Sequence, residues 1–304
     1  VLGGDATIDA HNGQRLTLNA SAETTSNMSI VGTDGVDSVT LGAANDVVSV
    51  GSDSDYVNAS VDGSDSISLG DGNDTVEFDS VMSSADTVQG EVGTDVLTYT
   101  DVTDTSGDEL DNVYDVERVV VSGTDINLTL TNTLFSETTG SGVGSDATID
   151  ASNGTGLTLN ADAEVDSDLL IIGTGSADSV TLGGGSDAVS LGDGADYVDA
   201  TNVSDDSINL GSGDDTVVFG AELSAADTID GGADLADMLV FEGNDTNTSA
   251  LDNVTHVEYI SVTGGDVHLT LTDAMVSSAD AQLTIDASSA TSLTLDASAV
   301  TDPT

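Results

Sequence analysis

Regularly spaced aspartates are the residues of this sequence best suited to chemistry. They occur in two series along the chain, and two positions after each aspartate comes a valine or an isoleucine. The positions are Asp37, Asp46, Asp55, Asp65, Asp74 and Asp86, then Asp178, Asp187, Asp196, Asp206, Asp215 and Asp227. Carboxylate oxygens are hard ligands, which favour calcium over zinc or copper. Such a series indicates a protein that binds hard cations.

The sequence contains almost nothing that could neutralise these carboxylates. Its 304 residues include 56 Asp and Glu but only two cationic residues, Arg15 and Arg118, so the formal net charge is -54. Two carboxylates roughly 5 Å apart repel by about 3 kcal/mol at an effective dielectric of about 20. A column of such pairs rivals the roughly 5–15 kcal/mol that stabilises a whole domain. Protonation at neutral pH needs strongly raised pKa values, so we expect several bound Ca2+ ions.

A nine-residue period predicts the elements that position the aspartates. From residue 32 the chain reads GTDGVDSVT, LGAANDVVS and VGSDSDYVN, each with a glycine-containing turn and a strand of three to four residues. With one inward apolar residue, each unit forms half a coil of a flattened solenoid. Units two apart then stack at about 4.8 Å, the spacing of neighbouring strands. The predicted columns are Asp37, Asp55 and Asp74 on one side, and Asp46, Asp65 and Asp86 on the other.

A longer repeat encloses the short one. GGDATIDAHNGQRLTLNASAE (3–23) recurs as GSDATIDASNGTGLTLNADAE (144–164), and AQLTIDASSATSLTLDASAV (281–300) begins a third copy. We therefore predict one module over 1–143 with its core at about 32–90, and a second over 144–280 with its core at about 173–232. Residues 281–304 start a third module. We expect the chain to be a piece of a longer tandem array.

The nine-residue units resemble the nonapeptide G-G-x-G-x-D-x-U-x of RTX-type calcium-binding proteins. LGDGNDTVE (69–77) and LGSGDDTVV (210–218) come nearest to it, whereas Ala44, Asp53 and Ser176 replace the glycine at its fourth position. The resemblance implies an all-β fold, a right-handed parallel β-solenoid (β-roll), in which turn carbonyl oxygens and the sixth-position aspartate of a stacked turn share each ion. The implied calcium ligands are Asp37, Asp46, Asp55, Asp65, Asp74, Asp178, Asp187, Asp196, Asp206 and Asp215.

The segments that flank the nonapeptides are similar to parts of bacterial surface-layer proteins and large secreted adhesins. They include SSADTVQGEVGTDVLTY (83–99) and DNVYDVERVVV (111–121). This second resemblance implies an extracellular location at the cell surface, with export in an unfolded state and folding outside the cell.

Other site chemistries find little support in the sequence. The segment Asp71–Thr75 resembles the start of an EF-hand loop but lacks its acidic fifth position, its glycine at the sixth and its glutamate at the twelfth. Neither a G-x-S-x-G nucleophile elbow nor an HExxH motif occurs. The three histidines have other residues at the equivalent positions of the other module; they are His11, His256 and His268. We therefore expect no enzymatic activity.

Charge and composition also limit the partners. A strongly negative chain is repelled by nucleic acid and by anionic membrane surfaces. The apolar runs are too short to span a bilayer, so we predict no membrane insertion. With no cysteine there is no disulfide and no thiolate metal site. The expected partners are calcium ions and either further copies of the chain or neighbouring modules.

These inferences predict an extracellular structural protein, a calcium-stabilised building block of a cell-surface layer, fibre or adhesin stalk. One alternative is the calcium-binding repeat tail of a larger secreted enzyme or toxin. Another is a salt-adapted surface protein whose aspartates are solvated and bind no specific ion.

Overall fold

A computed structural model divides the chain into two compact units, Val1–Asn153 (unit 1) and Gly154–Thr304 (unit 2). The predicted module boundaries at 143/144 and 280/281 fall outside the described residues and stay predictions. The structure describes residues 4–80, 82–102, 107–132, 134, 147–165, 167–202, 204–220, 223–234, 236–242, 251–279 and 282–301.

Short β-strands joined by turns make up the described part of unit 1. Their bounds are β1 (Ala6–Asp9), β2 (Thr17–Asn19), β3 (Met28–Thr33), β4 (Ser38–Thr40), β5 (Val47–Ser52), β6 (Tyr56–Asn58), β7 (Ser66–Gly72), β8 (Thr75–Glu77), β9 (Thr87–Gly93), β10 (Val96–Val102), β11 (Val113–Tyr114), β12 (Arg118–Thr129) and β13 (Ala147–Asp150). Valine, isoleucine and threonine are frequent in them, as expected for half-buried pleated strands.

Alternate strands of unit 1 pair in parallel. One stack runs β1-β3-β5-β7-β9-β11, and the other runs β2-β4-β6-β8-β10-β12-β13. From β1 to β12, consecutive strands therefore lie in opposite sheets, and two nine-residue units complete one coil. The predicted parallel β-solenoid is confirmed.

Unit 2 repeats this arrangement. Its described strands are β14 (Thr155–Asn160), β15 (Leu169–Ile172), β16 (Ser179–Thr181), β17 (Ala188–Asp193), β18 (Tyr197–Ala200), β19 (Ser207–Ser212), β20 (Thr216–Phe219), β21 (Thr228–Asp230), β22 (Met238–Phe241), β23 (Val254–Thr255), β24 (Tyr259–Val262), β25 (Asp266–Thr270), β26 (Thr284–Asp286) and β27 (Ser292–Asp296). The even-numbered strands from β14 to β26 form one stack, the odd-numbered strands from β15 to β23 form the other, and β25 pairs with β27.

A short helix, α1 (Asp273–Ser278), interrupts unit 2 and was not predicted from the sequence. The side chain of Thr272 accepts a hydrogen bond from the amide of Met275, which caps the first turn. The Met275 side chain is buried. A single turn and a half with one buried residue is too short to show a helical period in the sequence.

The core is a set of apolar ladders between the two sheets. Inward side chains of stacked strands lie in register, as in Ile30, Val48 and Ile67. All twelve apolar residues that follow the regularly spaced aspartates are buried: Val39, Val48, Val57, Ile67, Val76, Val88, Val180, Val189, Val198, Ile208, Val217 and Ile229. Outward side chains alternate with them, so Val47 is 55% exposed beside Val48 at 2%.

Glycine allows the turns to stack as closely as the strands do. Gly70 has a φ of +95°, and a Cβ at this position would collide with the carbonyl oxygen of Gly51 in the adjacent coil. Strand pairing continues through this turn, where Gly51 pairs with Gly70 and Ser52 with Asp71. Strands β5 and β7 are therefore six and seven residues long, longer than the three to four predicted.

The neighbouring residues Val47 and Val48 provide a matched test of the apolar ladder. We expect Val48→Ala to lower the free energy of unfolding by about 2 kcal/mol, because it removes two buried methyl groups and leaves a cavity. The same change at exposed Val47 should stay within about 0.5 kcal/mol of the parent protein. Urea denaturation in saturating calcium measures both, and equal losses would contradict this assignment of inward and outward faces.

Candidate metal-binding aspartate ladders

Each regularly spaced aspartate lies at the entrance of a strand and stacks on its equivalent two units away. We call the resulting columns ladder A and ladder B of each unit. Ladder A contains Asp37, Asp55, Asp74 and Asp95 in unit 1, and Asp178, Asp196, Asp215 and Asp237 in unit 2. Ladder B contains Asp46, Asp65 and Asp86 in unit 1, and Asp187, Asp206 and Asp227 in unit 2. The predicted columns are confirmed.

Hydrogen bonds run along each ladder from amide to carboxylate. The amide of Asp37 donates to Oδ1 of Asp55 at 2.7 Å, and the amide of Asp55 donates to Oδ1 of Asp74 at 2.6 Å. In ladder B the amide of Asp46 donates to Oδ1 of Asp65 at 2.9 Å. One oxygen of each such carboxylate therefore satisfies a main-chain N–H of the preceding coil, and aspartate reaches that amide with a single methylene.

The second oxygen of many ladder aspartates has no hydrogen-bond partner. Within the described residues, Oδ2 is buried and unbonded in Asp46, Asp55, Asp74, Asp95, Asp187, Asp196, Asp215 and Asp237. All ten predicted ligand residues are at most 4% exposed. Burying a polar atom without a partner is costly, and the cost is larger for a charge. These oxygens are the structural feature that most clearly calls for a cation.

Three of the ten predicted ligands have hydrogen bonds to both carboxylate oxygens. In Asp206 they come from the Asp187 amide and the Ser204 hydroxyl. Asp37 Oδ2 accepts a hydrogen bond from the amide of Thr33, and its Oδ1 accepts one from the Thr33 hydroxyl. Thr174 bonds Asp178 in the same way. The first aspartate of each ladder A therefore has both oxygens satisfied within the protein, and its role as a calcium ligand stays a prediction, like that of the other eight.

Burial makes the ladder carboxyls hard to ionise without a cation. Desolvation raises the pKa of Asp187 to about 8, and the nearby charges of Asp206 and Glu164 add to the effect. Burial likewise raises the pKa of Asp55 and of Asp65 to about 7, and in both cases the amide hydrogen bond offsets part of the shift. The ladders thus hold carboxyls that need either a proton or a metal ion at neutral pH.

Main-chain oxygens lie beside the ladder carboxylates. A Cβ placed on Gly72 would collide with the carbonyl oxygen of Asp53 and lie 3.0 Å from Oδ1 of Asp74. A Cβ on Gly63 would collide with the Ala44 carbonyl oxygen and lie 2.8 Å from Oδ1 of Asp65. The absence of a side chain at these glycines leaves room where a carbonyl and a carboxylate oxygen face the same point.

The donor set fits calcium. In the described part of the chain, no three His, Cys, Asp or Glu side chains are grouped closely enough to hold a metal ion. A cation at a ladder would therefore combine one or two carboxylates with carbonyl oxygens. Ca2+ accepts such mixed oxygen shells of roughly six to eight ligands, whereas zinc and copper prefer nitrogen and sulfur.

A family model for the RTX calcium-binding nonapeptide repeat matches the chain in four places, at residues 29–59, 62–80, 170–199 and 201–222. These segments are RTX-type repeats. They contain all ten predicted ligands, which lie within the two predicted β-roll cores. The matches make the chain a calcium-binding repeat protein. No curated protein and no solved structure matches the chain.

Ladder A extends beyond the RTX segments in both units. The sequence pattern did not reveal its last aspartates, Asp95 and Asp237. The amide of Asp74 donates to Oδ1 of Asp95 at 2.8 Å, and the amide of Asp215 donates to Oδ1 of Asp237 at 3.0 Å. The signal was present, because Leu97 and Leu239 follow two positions later, as in the other units. It was hidden because these coils are longer than two nine-residue units.

Replacing one RTX ladder aspartate should have opposite effects with and without calcium. Asp55→Asn keeps an oxygen acceptor for the Asp37 amide but removes a buried charge. In chelator we expect the variant to keep more β signal in circular dichroism than the parent, and we expect at least tenfold weaker calcium binding measured by calorimetry. Asp79→Asn, at an exposed position, is the matched control and should change neither. A drop in stability under both conditions would mean that Asp55 acts through packing alone.

The raised pKa values of the RTX ladders also predict how stability depends on pH. An unfolded aspartate has a pKa of about 3.9, whereas burial raises the folded pKa to about 6 for Asp196, about 7 for Asp55 and about 8 for Asp187. Between about pH 4 and these folded pKa values, the calcium-free folded state therefore binds more protons than the unfolded chain. Its stability should be greatest at about pH 4 and should fall as the pH rises from about 4 to about 8.

In saturating calcium the slope should reverse, because protons compete with the ion for the same carboxylates. Thermal melts across this pH range, after treatment with a chelating resin or with calcium added, measure both branches. A calcium-free protein that becomes more stable as the pH rises would contradict the buried state of the ladders.

Proposed function

We propose that the chain is an extracellular structural protein, a calcium-stabilised building block of a cell-surface layer, fibre or adhesin stalk. The observation that carries this proposal is the set of buried, unbonded Oδ2 atoms among the described residues, three on ladder A and one on ladder B of each unit. They belong to the scaffold itself and recur coil after coil, as expected for an ion that maintains a structure.

Calcium would couple folding to the environment. Ions that bind the folded ladders and find few complete sites in the unfolded chain stabilise the folded state by mass action. Extracellular calcium modules typically bind at roughly 10⁻⁴ to 10⁻³ M, so an acidic chain of this kind would stay unfolded at low cytosolic calcium. The absence of cysteine suits a secreted protein that relies on metal ions in place of disulfides.

The repeated coil supports a role in assembly. Solenoid repeats gain stability from each neighbour, so a further copy of the chain or a neighbouring module would suit this architecture.

The proposal assigns no catalytic role to this chain. His256 contacts Asp230 at 2.6 Å, and His11 contacts Asp9; neither pair recurs in the other unit, because Asp115 and Ser152 take the histidine positions. No described helix has the length and apolarity needed to cross a bilayer.

Far-UV circular dichroism during chelation and calcium return, at constant ionic strength, tests the proposed dependence on calcium. We expect the β signal to collapse in EGTA, to recover with Ca2+, and to respond weakly to Mg2+, which demands a smaller octahedral site. A signal that ignores calcium but follows bulk salt would support the solvated, salt-adapted alternative. Electron microscopy of the calcium-loaded protein then tests assembly, and particles that stay single at high concentration would contradict a building-block role.

A further inference from the structure

Ladder A of each unit ends on a glutamate. The amide of Asp95 donates to Oε2 of Glu117 at 2.7 Å, and the amide of Asp237 donates to Oε2 of Glu258 at 3.2 Å. The sequence has ten glutamates, and Glu117 and Glu258 are one of only two pairs that recur at the module offset. A repeated glutamate at the end of an aspartate ladder indicates a function specific to that position.

The aspartate that precedes each glutamate has an unsatisfied oxygen. Asp95 and Asp237 are both 0% exposed. In the described part of the chain, Oδ2 of each is buried without a hydrogen-bond partner, while Oδ1 is bonded to the previous rung. Burial and the neighbouring carboxylates raise the pKa of Asp95 to about 7 and that of Asp237 to about 6. One oxygen of each carboxyl therefore has no hydrogen bond that offsets the cost of its burial.

A main-chain carbonyl approaches the same place in both units. A Cβ on Gly90 would lie 2.7 Å from Oδ2 of Asp95 and would collide with the carbonyl oxygen of Asp115. In unit 2 a Cβ on Gly231 would collide with the carbonyl oxygen of His256 and lie 3.0 Å from Cβ of Asp237.

The residues that supply these carbonyls share their backbone conformation. Asp115 and His256 occupy equivalent positions and have left-handed φ values of +54° and +51°. Left-handed backbone is uncommon outside glycine and costs energy. Because the side chains differ while the backbone and the carbonyl contact are kept, the carbonyl oxygen is what this position supplies in both units.

We propose that the glutamate end of each ladder A is an additional calcium site, outside the matched RTX segments. Its ligands are the carboxylates of Asp95 and Glu117 with the Asp115 carbonyl oxygen in unit 1, and Asp237 and Glu258 with the His256 carbonyl oxygen in unit 2. Two carboxylates and a carbonyl form an all-oxygen set suited to calcium. The inference rests on the proposed calcium dependence. An ion at this site would connect the RTX core to the coils that follow it.

Native mass spectrometry at the lowest calcium concentration that saturates the parent protein counts the ions. Glu117→Gln keeps an oxygen for the Asp95 amide but removes the charge, and we expect it to bind one ion fewer. Glu258→Gln should also lose one ion, and the double variant two. Glu77→Gln and Glu242→Gln remove the same charge away from the ladder ends and should keep the parent count.

A double variant with the parent ion count would overturn the proposal and leave the two glutamates as caps for main-chain amides. A parent protein that binds no calcium would instead overturn the proposed function itself. If the variants fail to fold, anomalous diffraction from calcium-grown crystals of the parent decides the question. A calcium peak beside Asp95 Oδ2 and Glu117 is expected, and peaks confined to the other rungs would contradict the additional site.

Discussion

The hydrogen bond from each ladder amide to the carboxylate of the next coil is the interaction on which the rest of the structure depends. It fixes one oxygen of every such aspartate on the main chain, so coils can stack only in the register that brings aspartate over aspartate. The same bond brings like charges close together in a buried column, as in Asp55 between Asp37 and Asp74. The feature that gives the solenoid its register therefore also creates its electrostatic cost, which a bound cation would offset.

Apolar ladders and turn glycines allow the coils to stack in this register. Val48 and Ile67 stack inside the coil two residues after Asp46 and Asp65, so each rung combines an acidic residue at the turn with an apolar residue in the core. Gly70 lets the adjacent turns approach to the spacing of the strands. Apolar burial must compete with charge repulsion along the same coil, so an ion bound at a repeat would add directly to the stability of the fold.

The two units show which features the ladder requires and which it tolerates. Arg118 pairs with Asp150 at 2.7 Å in unit 1, yet Tyr259 takes its place in unit 2. The equivalent residues Asp115 and His256 likewise have different side chains but the same left-handed backbone conformation. By contrast, Glu117 and Glu258 keep both their identity and their hydrogen bond to the preceding rung. In these pairs the side chain varies only where the ladder oxygens are left unchanged.

The sequence by itself determined the parallel solenoid, the alternation of the two columns and the buried apolar ladders, because a period of about nine residues leaves one way to stack equivalent residues. It identified Asp55 and Asp187 as ladder members but did not show that one oxygen of each bonds to the main chain while the other is left without a partner. It also missed Asp95 and Asp237, since longer coils break the period there although the stacking continues. Only the tertiary structure decided these points, because hydrogen-bond partners and burial depend on the adjacent coil, which lies about twenty residues away in the sequence.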